Sequence, residues 1–446
     1  MKKLLCIILL MFCIGNIASS QSKFIIQNKH KSDKIKFKLI NNLIVFPVEI
    51  NGVKLSFLLD TGVSKPIIFN FLNVSDTLKI KNTESIFLRG LGDGESVEAL
   101  RSQNNILKIG DAININQDLY AIYDSNLSFA PRLGVPVHGI IGYDIFKDLI
   151  VEINYSSKYL RLTETSEYKY KECKKCERLH LEFYNSKPYI NAKVNINENQ
   201  IPVKLLIDSG GSDSIWLFEN DSLGLKVKDE NFYDFLGHGL SGSLYGRRSI
   251  VEAFSLSKFT LKEVNVAFPD STSTILARQI KDRNGSICGN VLKRFNFIVD
   301  YSKALITFKK NKHFKDKFSY NKSGIELAHE GVRLVRELEE IVQRGAKDSY
   351  GGNRDGGTKI LLDRSFKLSL KPAYTIVELR KDSPAYRSGL NLGDIVLSIN
   401  GKAAHNYSLQ QIMHMFYEET GKRIRLKVER DGIILNFSFL LEDVLK

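Results

Sequence analysis

Two stretches of this chain, 148 positions apart, carry the same grammar. Phe57-Leu58-Leu59-Asp60-Thr61-Gly62-Val63-Ser64 and Leu205-Leu206-Ile207-Asp208-Ser209-Gly210-Gly211-Ser212 each run three apolar residues into an aspartate, a small hydroxyl residue and a glycine. A buried strand that ends on an ionisable group is an odd construction, because the carboxylate must be provided for. Further landmarks keep the register. Gly90-Leu91-Gly92 answers Gly237-His238-Gly239, and Gly139-Ile140-Ile141-Gly142 answers Ser286-Ile287-Cys288-Gly289, both at an offset of 147. Val151-Glu152-Ile153-Asn154-Tyr155-Ser156 matches Ile298-Val299-Asp300-Tyr301-Ser302 in character, and each precedes one closing strand. A repeat of this length is a duplicated lobe, and it has to be settled before any fold is assigned.

Within each lobe the pattern is of short apolar runs broken by turn residues. In the first, residues 43–50 and 53–59 flank Asn51-Gly52, a strong hairpin signal, and strand-rich patterning continues to about Leu162. The second repeats the hairpin at residues 189–196 and 201–207, around Asn197-Glu198-Asn199. Residues 21–42 are polar and basic, with residues 37–41 as a leading strand. Lobe 1 is expected over residues 35–163, a charged interlobe linker over 164–180 and lobe 2 over 181–310. Residues 309–317 form a second charged connection, and a third domain is expected over residues 318–446.

At 446 residues, two or three domains with sizeable cores are expected, and 43% hydrophobic with 26% charged residues is an ordinary globular balance. Residues 1–20 read as a secretory signal peptide: Lys2 and Lys3, a short apolar run from Leu4 to Ile14, then Ala18-Ser19-Ser20 before Gln21. Lipid attachment at Cys13 competes, but bulky Phe12 before it fits that processing poorly. The expectation is an exported protein, periplasmic, cell-envelope or secreted, without a later membrane span. Loss of Lys2 and Lys3 takes the net charge from +14 to +12. That could attract anionic surfaces, but a solvated Lys-rich exterior is the preferred reading, and without basic clusters interleaved with aromatics no nucleic-acid partner is expected. Cys6 and Cys13 leave with the signal; Cys173, Cys176 and Cys288 remain, too few for a disulfide framework. Cys173-Lys174-Lys175-Cys176 reads as a local disulfide or free thiols, since a second ligand pair for zinc is missing.

Equivalent aspartates in duplicated lobes face each other if the lobes pack about a pseudo-twofold axis. Two carboxylates a few ångströms apart cannot both ionise, so they share one proton. The charged one can take a proton from water while the neutral one hydrogen-bonds a carbonyl oxygen, which is direct attack of water on an amide. Thr61 and Ser209 supply hydroxyls to brace the loops, and Gly62 and Gly210 permit tight turns whose N–H groups reach the carboxylates.

These paired motifs, with Ile140-Ile141-Gly142 and Ile287-Cys288-Gly289 at the matching place in each lobe, resemble the Asp-Thr/Ser-Gly and apolar-apolar-Gly signatures of the aspartic proteases of the retropepsin-like and pepsin-like superfamily. The resemblance covers about residues 35–310. It implies mostly β architecture, two barrel-like lobes with a substrate cleft between them, and Asp60 and Asp208 as catalytic residues. With both aspartates in one chain, a monomer suffices. Val63 and Gly211 depart from the small residue common there. The family's mobile flap maps to residues 87–94 or 235–242, with Gly90, Gly92, Gly237 and Gly239 as candidates, and which side closes is left open. His238 is read as an ordinary surface histidine or a flap contact.

The C-terminal domain resembles a PDZ domain of the type appended to bacterial proteases, through Ser383-Pro384-Ala385, Gly389-Leu390, Gly393-Asp394 and Ile399-Asn400-Gly401. Such a groove takes an extended peptide as an added strand and holds its C-terminal carboxylate on backbone N–H groups. By that resemblance Gly324, Ile325 and Leu327 belong to the carboxylate loop and first strand, and Leu409 and Met413 line the groove while Ile412 and Phe416 face the core. For Met413 a core position is an equal alternative. Ser408 can cap this helix, and Asp431-Gly432 turns the last two strands. Residues 330–366 form a charged insertion in which 332–342 has helical spacing and Gly351-Gly352-Asn353-Arg354-Asp355-Gly356-Gly357 reads as loop.

The sequence therefore leads to an exported aspartic endopeptidase acting on peptide or protein substrates, with a PDZ domain that recruits a peptide tail or gates the cleft. No metal or organic cofactor is implied. A narrowly specific processing enzyme would use the same chemistry; a catalytically silent peptide-binding protein would have no use for two buried acids.

Overall fold

The computed structural model describes residues 22–69, 77–123, 130–280, 282–338 and 366–445. The segment read as a signal peptide and the glycine-rich stretch at 351–357 lie outside these. The chain is β-rich and divides into two compact units, one running to Asn321 and the other from Lys322 to Glu442.

The first unit holds the duplicated lobes. In lobe 1 the hairpin Leu43–Ile50 and Val53–Leu59 closes on Asn51 and Gly52, both at positive φ, as an Asn-Gly turn requires. The short strand Gly139–Ile141 then inserts parallel to Val53–Leu59, pairing Phe57 with Gly139 and Leu59 with Ile141. Lobe 2 repeats this: Lys187–Ile196 pairs with Asn199–Ile207, and Arg283–Ile287 lies parallel to the latter, Ile207 opposite Ile287. Each aspartate is thus the first residue beyond a strand whose flank is covered by a second strand, so the chain cannot continue straight. In both lobes the alternate inward residues are buried, Phe57 and Leu59 in one, Leu205 and Ile207 in the other.

A six-stranded sheet joins the lobes. Leu149–Asn154 pairs antiparallel with Phe295–Asp300, flanked by Tyr159–Glu164 and Leu305–Lys310, with Ser32–Lys36 and Cys176–His180 outermost. At its centre the strand Leu149–Asn154 meets its own counterpart in the repeat, Phe295–Asp300, with Glu152 opposite Ile298, which marks the pseudo-twofold axis. The stretch between the lobes is therefore not simply a linker, since Cys176–His180 forms one edge of this sheet. Cys173 and Cys176 are joined as a disulfide just before it, and Cys288 is a buried free thiol. The expected charged connection after lobe 2 is also built in. Buried Arg294 donates to the Asn290 carbonyl at 3.1 Å and to the His313 and Asp316 carbonyls, and its guanidinium lies 3.5 Å from the centroid of Phe318.

The second unit packs the strands Ile395–Ile399, Arg423–Arg430 and Ile433–Leu440 against the helices Pro384–Arg387 and Leu409–Met415. Ser408 caps the second helix in a capping box with Gln411. The described part of the stretch with helical spacing is strand instead: Ile325–Leu338 pairs antiparallel with Phe366–Leu379. Val332 and Leu334, two apart, face the same side as Leu370 and Leu368, and this cross-strand pairing overrides the weak helical spacing. Buried Asp394 takes two hydrogen bonds from Arg430, at 2.6 and 2.8 Å, which explains the Gly393-Asp394 motif as a structural clamp. Among the described residues no helix is long and apolar enough to cross a membrane.

Candidate active site

Asp60 and Asp208 meet at the interface of the lobes. Their backbone N–H groups donate to the carbonyls of Ile141 and Ile287, both at 2.9 Å, so the inserted parallel strand of each lobe fixes where its aspartate leaves the sheet. Both residues keep part of their surface exposed, whereas Thr61 and Ser209 beside them are buried. The hydroxyl residues link the lobes reciprocally. Thr61 N–H donates to Ser209 Oγ at 3.1 Å, and Ser209 N–H donates to Thr61 Oγ1 at 3.0 Å. Thr61 Oγ1 donates to the Ile207 carbonyl at 2.5 Å, and Ser209 Oγ to the Leu59 carbonyl at 2.8 Å. Every hydroxyl is both donor and acceptor, so the lattice leaves none of these buried polar groups unpaired.

The turn after each aspartate wraps its carboxylate. Gly62 N–H donates to Asp60 Oδ1 at 2.7 Å, while Gly210 and Gly211 N–H both donate to Asp208 Oδ1 at 3.0 Å. Glycine is required at Gly210 by close approach. A Cβ there would lie 2.4 Å from Asp60 Cγ, so the second lobe's turn packs directly against the first lobe's carboxyl. A Cβ on Gly62 would lie 3.0 Å from Asp60 Oδ1 and 3.8 Å from Asp208 Oδ1, which puts both carboxyl groups around one point.

Burial, and then the neighbouring charge of Asp208, push the Asp60 carboxyl up to about 7; the Gly62 N–H and the Lys187 ammonium work against this. Burial raises Asp208 as well, opposed first by the Arg283 guanidinium and then by the Gly210 N–H, the Lys187 ammonium and the Gly211 N–H. The two acids are therefore unequal. Asp208 has two turn N–H donors and the Arg283 guanidinium, Asp60 has one N–H, so the surroundings favour the charged form of Asp208 more than that of Asp60. Sequence reading missed both cations. Arg283 is buried, donating to Gly285 O at 3.2 Å and Ser286 Oγ at 2.9 Å, with its guanidinium 5.3 Å from the Phe218 ring centroid. Arg283 stands in the polar run Lys281-Asp282-Arg283-Asn284-Gly285-Ser286 ahead of Ile287-Cys288-Gly289, where nothing in the sequence marks it out. The Lys187 ammonium is depressed by burial.

The candidate flap segments meet each other. Hairpin Thr83–Leu88 with Val97–Ile109 brings Gly90 and Gly92 to the tip Gly239–Gly242 of hairpin Phe232–Gly239 with Gly242–Leu256. Gly90 N–H donates to Ser241 Oγ at 3.1 Å, Ser241 N–H to the Leu91 carbonyl at 3.0 Å, and Gly94 N–H to the Ser241 carbonyl at 2.7 Å. A Cβ on Gly239 would stand 2.0 Å from the Leu91 carbonyl oxygen, whereas Gly237 sits in a bulge at φ 146° with open space around it. His238 lies 5.1 Å from the Phe235 ring centroid; burial, then Arg132, lowers its ring to about 4, so it is uncharged at neutral pH.

In the second unit, Gly324 has φ 82° and a Cβ there would meet Ser383 Cβ at 2.2 Å, while Ile325 and Leu327 are buried. Leu409, Ile412, Met413 and Phe416 all belong to the core, Met413 being the least covered at 8% exposed.

Residues 46–145 and 192–290 each match the family model described as aspartyl protease, and residues 375–430 match the one described as PDZ domain. The chain carries two segments similar to aspartyl proteases and one similar to PDZ domains. No curated protein matches the chain. The two matched segments of the aspartyl protease lobes contain Asp60 and Asp208 with the inserted strands that position them.

Proposed function

We propose that the protein is an aspartic endopeptidase in which Asp60 and Asp208 share one proton and activate water against a peptide carbonyl. The observation that carries this is the inequality of two carboxyl groups held around one point. Asp208, with Arg283 and two turn N–H groups, serves as the charged base that takes a proton from water. Asp60 holds the shared proton and gives it as a hydrogen bond to the carbonyl oxygen as the tetrahedral centre forms. Proton transfer to the departing nitrogen then completes cleavage and returns the pair to its starting charge. Asp60 and Asp208 are the catalytic residues; Thr61, Ser209, Gly62 and Gly210 position them.

The contacts of Gly90 and Gly92 with Ser241 and Gly239 support a roof made by both lobes. For the PDZ domain, we place an extended peptide tail beside the outermost strand Ile325–Leu338, with its carboxylate at the turn of Gly324 and the helix Leu409–Met415 as the opposite wall. Burial of Leu409 and Met413 makes them floor rather than exposed lining. The first twenty residues support export, which N-terminal sequencing of the secreted protein would check. The test of the activity is incubation of the full chain with a diverse peptide pool beside Asp60→Asn and Asp208→Asn. Cleavage by the parent and loss in both variants is expected. Equal products from all three would overturn the mechanism, and intact peptides throughout would favour a silent binding protein.

A further inference from the structure

The antiparallel pair Ile325–Leu338 and Phe366–Leu379 runs on past the body of the domain, because the next strand, Ile395–Ile399, pairs only with Tyr374 and Thr375. The overhang is a two-stranded ribbon with two unlike faces. Register places Val332, Leu334 and Arg336 on one face with Leu370 and Leu368, and Arg333, Val335 and Glu337 on the other with Lys371, Ser369 and Lys367. The second face is neutralised within the domain: Arg333 pairs with Glu429 at 2.7 Å and Lys371 with Glu337 at 2.9 Å. The first is apolar and open to solvent, with Val332 60%, Leu334 59%, Phe366 46%, Leu368 65% and Leu370 68% exposed. Five large apolar side chains in one continuous exposed strip are more than a soluble surface ordinarily leaves uncovered.

We propose that this ribbon lies on the surface of an anionic lipid bilayer, with its apolar face in the acyl boundary. Two observations choose this occupant. A ribbon two strands wide has no side walls, so it cannot enclose the side chains of a peptide, whereas a flat apolar medium covers it completely. Its charge is also complementary to acidic headgroups. Of the basic residues at 332–338 and 366–372, Arg333 and Lys371 are taken up by Glu429 and Glu337, which leaves the charge of Arg336 and Lys367 for the headgroups, and the Arg336 guanidinium sits 3.8 Å from the Phe366 ring centroid at the margin of the apolar strip. An arginine there can reach a phosphate while its stem stays in the apolar layer. Apolar area together with basic residues is the combination that holds a peripheral protein on an anionic surface. Arg336 also disfavours a second copy, since two such faces packed together would enclose its guanidinium and that of its counterpart in one apolar layer.

The test is co-sedimentation of the full chain with vesicles of phosphatidylcholine alone or with phosphatidylglycerol added. Binding is expected to the mixed vesicles and to fall with added salt. The triple variant Leu334→Ser, Leu368→Ser, Leu370→Ser should lose it by at least about tenfold, and Arg336→Gln with Lys367→Gln should lower it by a similar factor on mixed vesicles only. Thermal melting near that of the parent would show both variants folded, as exposed positions allow. A parent that stays in the supernatant, a triple variant that sediments as the parent does, or a dimer that the triple variant abolishes without vesicle binding would each overturn the proposal.

Discussion

Thr61 and Ser209 each donate a backbone N–H to the other's hydroxyl, at 3.1 and 3.0 Å, so the residues that follow the two aspartates hold one another across the pseudo-twofold axis. The lattice is closed, and cutting it on one side strands groups on the other. Ser209→Ala removes the acceptor of Thr61 N–H and the donor to the Leu59 carbonyl. It should cost about 1–3 kcal/mol, read as a lowered denaturant midpoint with an unchanged slope. A midpoint equal to that of the parent would show that the hydroxyls do not brace the lobes.

In the proposed mechanism the proton on the pair sets the pH range of activity. With the Asp60 carboxyl held near 7 by burial and by Asp208, hydrolysis should decline as pH rises through about 7 and the shared proton is lost. The Lys187 ammonium works in the opposite direction on both acids. Lys187→Met should therefore shift the falling limb of kcat/KM to higher pH, because the pair then keeps its proton longer. A shift to lower pH, or none, would place Lys187 outside the field of the pair.

Stability follows the same proton. The folded chain binds it more tightly than the unfolded chain does, so this contribution is full at low pH and is lost as pH rises through the folded value near 7. Asp60→Asn, which cannot ionise, should melt above the parent at pH 8, by a few degrees, and come back to it only near pH 4, where the unfolded chain's carboxyl is protonated as well. Calorimetry at the two pH values checks both ends.

In the proposed roof, closure rests on the glycines that meet across it. A Cβ on Gly92 would stand 2.4 Å from the backbone carbon of Ser241, and Gly92 has φ 124°. Gly92→Ala should hold the two tips apart and lower kcat/KM at least about tenfold, with the melting temperature little changed, since the tips carry little of the core. Undiminished hydrolysis by this variant would show that the tips need not meet.

The two aspartates, their hydroxyl neighbours and the duplication were legible because each is local chemistry repeated in register. What escaped reading depends on contacts between distant strands. Glu152 and Ile298 are unremarkable in sequence, yet their pairing joins the lobes into one sheet. Lys187 gains its influence only because the hairpin Glu182–Tyr184 with Lys187–Ile196 brings it into the field of both acids. Arg294 reads as one more basic residue until residues 311–318 fold over it. The ribbon at Val332 and Leu334 misled because a short run with apolar residues three apart satisfies a helical period as well as a strand's, and only its partner at 366–372 decides between them.

The central sheet constrains how the molecule can come apart. Because Leu149–Asn154 pairs antiparallel with its own counterpart Phe295–Asp300, the contact that closes the monomer is of the kind that two equivalent strands make about a twofold axis. Severing the chain between the lobes would therefore leave each half with an open edge; two second halves could set Ile298 against Ile298 across it and rebuild the symmetry that the full chain contains, whereas two first halves would set Glu152 against Glu152.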